Sequence, residues 1–148
     1  MGVKQDYRKA VKWYERAADL GHPGAQSNLG RCYRNGWGVK EDQAQAARWY
    51  TLGARQGDIH AQNNLALCFL NGWGVAKSAR EAVKWFRKSA EQGNAAAQTS
   101  LGRCYLGGVG LEKDARAAVQ MFLMAAENGD AQGADHLGQC YEVICLEG

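Results

Sequence analysis

Residues 58–93 read DIHAQNNLALCFLNGWGVAKSAREAVKWFRKSAEQG, and this stretch decides the fold. Asp58 stands where a helix N-cap is wanted. It is followed by Ala61, Leu65, Cys68 and Phe69, an apolar stripe at i, i+4, i+7 and i+8 that gives a helix one buried face. Asn71-Gly72-Trp73-Gly74 then breaks the pattern, because closely spaced glycines supply turn geometry that helix interiors disfavour. Ser78 is placed to cap a second helix with the stripe Ala82, Trp85, Phe86 and Ala90, and Gly93 ends it as a C′ glycine. The stretch is therefore two helices, A then B, joined by a glycine loop.

Working outward, the same unit recurs without change of length. Gly21, Gly57, Gly93 and Gly129 are 36 residues apart, as are Leu29, Leu65, Leu101 and Leu137, Cys32, Cys68, Cys104 and Cys140, and Trp13, Trp49, Trp85 and Met121. A fixed period in this range marks a solenoid, whose units cannot bury an apolar face alone and stack on their neighbours. Cap residues recur too: Asp6, Asp42, Ser78 and Asp114 before each helix B, and His22, Asp58, Asn94 and Asp130 before each helix A. All but His22 are good side-chain caps. Pro23 falls at a first helical position, where a missing N–H costs nothing.

The run Ala25, Leu29, Gly30, Tyr33, Gly36, Gly38, Val39, Asp42, Ala46, Trp49, Tyr50, Ala54, Gly57 resembles the pattern of Sel1-like repeats, relatives of the tetratricopeptide repeat with a slightly longer unit. The resemblance covers nearly the whole chain. Ala66 replaces the small glycine of Gly30, Gly102 and Gly138, Gly133 stands where other units have alanine, and Met121 replaces the tryptophan. It implies an all-α fold, a right-handed α-solenoid of antiparallel helix pairs, used mainly as a scaffold for protein–protein interaction.

Length and composition agree. The 148 residues, 46% hydrophobic, suffice for one domain spanning 1–148. It divides into a partial helix-B unit at 1–21, full units at 22–57, 58–93 and 94–129, and a partial helix-A unit at 130–148, eight helices in all. The half-units suggest a piece of a longer array; a short protein whose ends pair in an oligomer, or an engineered repeat array with no natural partner, are the alternatives. Leu137, Tyr141, Ile144 and Leu146 would then lack a covering helix B and favour self-association. The formal net charge of +3 is small, and cations alternate with acids on helix B, which speaks against nucleic acid. No apolar run approaches the ~20 residues needed to cross a bilayer, so no membrane insertion is expected.

Four of the five cysteines sit at one register on successive A helices. Neighbouring helices pack ~8–10 Å apart, beyond the reach of a disulfide, so these are read as small core residues in a reduced, intracellular and cytoplasmic chain. A disulfide-rich branch of the Sel1-like family pairs helix A with helix B in each unit, and helix B here carries no cysteine. The penicillin-binding and hydrolysing activity reported for that branch is the alternative function. No C-x-x-C occurs, and His136 with Cys140 is too small a donor set for zinc, so no metal or cofactor is expected. Asp135 and His136 are adjacent on a helix and point about 100° apart, wrong for a catalytic pair, so no enzyme is expected. Trp37 and Trp73, in the loops, are read as folding back over helix ends, with partner anchoring as the alternative.

If Ala25, Leu29, Cys32 and Tyr33 face inward, positions 27, 31 and 34 face away, with 28 and 35 on the flank. In tetratricopeptide relatives these positions line a concave groove. The predicted partner-binding row is Ser27, Asn28, Arg31, Arg34 and Asn35; Asn63, Asn64, Leu67, Leu70 and Asn71; Thr99, Ser100, Arg103 and Leu106; and Asp135, His136 and Gln139. Leu67, Leu70 and Leu106 are leucines on a solvent face, which together suggest a site for a partner. Arg31 and Arg103 flank Leu67 in this row, so the expected ligand is an extended peptide with acidic groups near its ends and an apolar residue between them.

Overall fold

The computed structural model describes the backbone of residues 3–147 and the side chains of residues 6–144 and 146. The elements are α1 (Val3–Asp19), α2 (Pro23–Asn35), α3 (Gln43–Arg55), α4 (Ile59–Asn71), α5 (Ala79–Glu91), α6 (Ala95–Gly107), α7 (Ala115–Glu127) and α8 (Ala131–Glu147). No strand occurs among the described residues, and the fold is an all-α helical repeat of the solenoid class.

The predicted caps fix most of the boundaries. Asp42, Asp58 and Asp114 accept from the backbone N–H three residues on, at 3.1, 2.8 and 3.1 Å, and Asn94 accepts from Ala96 and Ala97. His22 also caps, its Nδ1 accepting from the Ala25 N–H at 3.0 Å, so the imidazole does the work of a carboxylate. Asp6 departs from its series. α1 already begins at Val3, which leaves Asp6 inside the first turn, where its charge still complements the helix dipole.

Two compact units form, dividing after Ser78. In the first, α1 packs on α2, α2 on α3 and α3 on α4, while the A helices α2 and α4 lie side by side; in the second, α5, α6, α7 and α8 repeat that arrangement, with α6 beside α8. The stripes of residues 58–93 are largely buried: Ala61, Leu65 and Cys68 on α4, and Ala82, Trp85, Phe86 and Ala90 on α5, while Phe69 is half-buried. The tryptophan register is less uniform than its periodicity. Trp13 is 66% exposed, with Arg16 over its ring, and Trp49 is half-buried. Leu137 is not left uncovered, since it packs on Ala118, Phe122 and Cys140, whereas Tyr141, Ile144 and Leu146 are exposed.

Two features join repeat to repeat. The second loop glycine lies at positive φ against the start of the helix B before it; a Cβ on Gly74 would stand 2.1 Å from the Gln43 carbonyl oxygen, and one on Gly110 2.3 Å from that of Ala79. Only glycine satisfies both the dihedral and the approach. The second feature is polar. Gln26, Gln62 and Gln98 are buried, and each donates from Nε2 to a carbonyl eight residues back, Ala18, Ala54 or Ala90, at 3.2–3.3 Å. The amide oxygen of Gln26 accepts from Gln56 at 2.8 Å, and that of Gln98 from Asn128 at 3.0 Å. A buried amide is tolerable only when so satisfied.

Candidate functional site

In the first unit, α2 and the start of α4 enclose an open cavity of about 340 Å³. Asn28, Arg31, Arg34 and Asn35 line it from α2, and Asp58, His60 and Asn64 from the other side. The arginines are held by aromatic rings from the glycine loops: Arg31 lies 5.7 Å from the centre of Trp37, and Arg34 4.5 Å from that of Trp73. Trp37 itself stacks on Tyr7 at 5.4 Å, the folded-back position. Neither guanidinium is in an ion pair among the described residues. The cavity's one carboxylate, Asp58, is engaged in capping α4. The balance is positive, and it favours a carboxylate or other anion over a neutral ligand.

Beneath this face lies Tyr50, fully buried, its hydroxyl without a hydrogen bond of normal geometry. Burial pushes its pKa up to about 12, against the pull of the nearby Arg34 guanidinium. Burial likewise raises Cys68 to about 11, and it raises Cys32, Cys104 and Cys140. These four thiols are free and buried, as core residues would be; the side chain of Cys145 lies outside the described residues.

The predicted row is only partly a surface. Ser27 and Thr99 are each 3% exposed, so little of either side chain is open to a partner, although Ser27 borders the cavity beside Asn28. An A helix packs on the neighbouring A helix as well as on B helices, which widens its buried arc, and Thr99 donates to the carboxylate of Asp130 just before α8. Asn35 and Asn71 spend their amides on the carbonyls of Arg31 and Leu67, one turn back in their own helices. Asn63, Asn64, Leu67 and Leu70 are half-buried, and the Asn63 side-chain oxygen is a buried acceptor without a partner. In the second unit Ser100 is half-buried, and Arg103 and Leu106 are exposed. His136 stacks on Phe122 at 5.1 Å, and Gln139 donates to Asp135 at 2.8 Å. Arg31, Arg34, Asn28 and Asn64 thus converge on one cavity, to which the sequence reading had not assigned His60. No three of His, Cys, Asp and Glu come together as metal ligands would among the described residues.

The fold defines the class: a tandem helical-repeat protein. Residues 1–22, 23–58, 59–94 and 95–130 match the Sel1 repeat, and the chain belongs to the Sel1 repeat family, whose members are generally protein-interaction scaffolds. It is similar to a Sel1 repeat protein from Oxalobacter formigenes, with 40% identity over 95% of this chain and 57% of that one and a TM-score of 0.87. A protective antigen of uropathogenic Escherichia coli strains shows 41% identity over 88% of this chain and 28% of its own, with a TM-score of 0.85. The chain thus spans well under two thirds of either relative. Helicobacter pylori cysteine rich protein B, 20% identical over 92% of this chain and 98% of its own, shares the fold with a TM-score of 0.72. No curated protein matches the chain.

Proposed function

We propose that the chain is an interaction scaffold that binds an extended segment of a partner protein on the exposed faces of its A helices, with an acidic group of that segment seated between Arg31 and Arg34. The observation that carries this reading is the cavity with two guanidinium groups, each stacked on a loop tryptophan and neither neutralised. Arginines held in place lose less freedom when a carboxylate arrives, and their planar forks suit it. Asn28 and Asn64 can each donate and accept, which suits a peptide main chain. Leu67 and Leu70, half-buried on α4, offer apolar contact to a residue beside the acid.

A peptide selected from a random library on the whole chain provides the test. Arg31→Glu combined with Arg34→Glu is expected to weaken its binding at least tenfold, about 1.4 kcal/mol, and Leu67→Ser to weaken it less. Binding should also fall as salt rises, because the charges are only partly shielded. If neither change weakens binding, the A-helix face is not the site.

A further inference from the structure

We infer that the hollow beside Met121 is a second docking site, one that takes a tryptophan side chain presented by a partner protein. The repeat supplies the comparison within this chain. Met121 occupies the register of Trp49, and the residues around the two correspond: Ala18 with Ala90, Leu29 with Leu101, Tyr33 with Tyr105. In the first unit the Trp49 indole is half-buried and packs on the core group that contains Ala18 and Leu29, with Tyr33 packed against that group as well. In the second unit the same wall is present and the indole is not. Ala90, Leu101, Tyr105, Met121 and Met124 instead line an open cavity of about 320 Å³, with Arg87 and Glu91 at its rim.

The chemistry of the walls favours the missing ring. Ala90 and Leu101 are 4% and 3% exposed, so the floor is apolar and packed in place before any ligand arrives. Methionine is unbranched and polarisable, and Met121 and Met124 can close on an aromatic face. Arg87 donates to the Tyr105 hydroxyl at 3.2 Å, which fixes that ring and holds a cation where it can cover another, as Arg34 covers Trp73. Glu91 is in no ion pair among the described residues, and its carboxylate is an acceptor for an indole N–H. Cation for the ring face and anion for the N–H together select tryptophan over phenylalanine or leucine. Tryptophan is also a frequent anchor at protein interfaces.

The chain has three methionines, two of which, Met121 and Met124, line the cavity, so labelled methionine methyl groups report the site. Titration of the whole chain with N-acetyl-tryptophanamide should move the Met121 and Met124 methyl signals upfield in a saturable way. N-acetyl-leucinamide should move none, and N-acetyl-phenylalaninamide should bind more weakly until Glu91→Leu removes the difference. Met121→Trp restores the residue that three other units carry; it should raise the thermal midpoint and abolish the response of Met124. Unmoved signals at ~10 mM probe, tenfold above a millimolar affinity, would overturn the inference. So would a Met124 response that survives in Met121→Trp. Free indole binding as tightly as the capped amino acid would make the ligand a small molecule and overturn the assignment to a partner protein.

Discussion

Gly102 shows how much one hydrogen atom can decide. A Cβ there would lie 2.7 Å from the Phe122 ring, so Gly102→Leu should lower the thermal midpoint by overpacking worth roughly 1–3 kcal/mol or more. An unchanged midpoint would contradict the α6–α7 packing. Gly30 meets Tyr50 in the same way in the first unit. Tyr50 carries a second expectation. Its folded pKa of about 12 lies above its ordinary value of 10, so the buried neutral hydroxyl favours the folded state fully below pH 10, and this contribution is lost as pH rises through 12. Cys68 behaves alike from pH 9 to about 11. Stability should therefore fall above pH 9, and Tyr50→Phe should flatten the upper part of that fall while costing little at neutral pH, since the hydroxyl makes no hydrogen bond of normal geometry, although Arg34 lies near it. A fall between pH 10 and 12 of the same size in Tyr50→Phe would assign it to other groups. The apolar core was legible residue by residue, because a stripe at helical spacing states its own burial. The burial of Ser27 and Thr99 was not, since it depends on the neighbouring A helix.

At the scale of the element, helix ends were the easiest part to read and helix-to-helix polar contacts the hardest. Asp42, Asp58, Asn94 and Asp114 announce helix starts by a local interaction, complete within three residues. The start of α1 escaped because Asp6 looked like its relatives, although the preceding residues continue the helix. Gln26, Gln62 and Gln98 recur with the period of 36, but their role is not legible from it, because a polar residue does not contribute to an apolar stripe. Their role can be measured. Gln98→Leu keeps the bulk but leaves the Ala90 carbonyl and the Asn128 amide without their partner, a loss of about 1–3 kcal/mol, or roughly 2–12 °C in the midpoint. The exposed Gln120→Leu should stay within about 0.5 kcal/mol. Equal effects of the two would show that the glutamine bonds add nothing to the join between helices.

For the whole molecule, the cysteines give a simple count. All five should titrate as free thiols when the chain is denatured without reductant, and fewer than three would overturn the reduced reading. Before denaturation, Cys32, Cys68, Cys104 and Cys140 should react slowly with thiol reagents at neutral pH, because burial both covers them and keeps them protonated. The repeat architecture was legible at this scale because every unit restates it. The cavity was not, because its shape beside Arg31 and Arg34 is set by two helices one period of 36 residues apart, and the periodicity of each alone says nothing of the space between them. The joining contacts have one further consequence. The glutamine bonds reach back 8 or 30 residues, and the loop glycines and the Thr99–Asp130 bond connect positions 31 apart, always less than the period of 36. None of these contacts skips a repeat. Loss or gain of 36 residues within either compact unit would therefore bring equivalent positions of the glycine and glutamine contacts together again, so that repeat number can change without a contact of new length having to be invented.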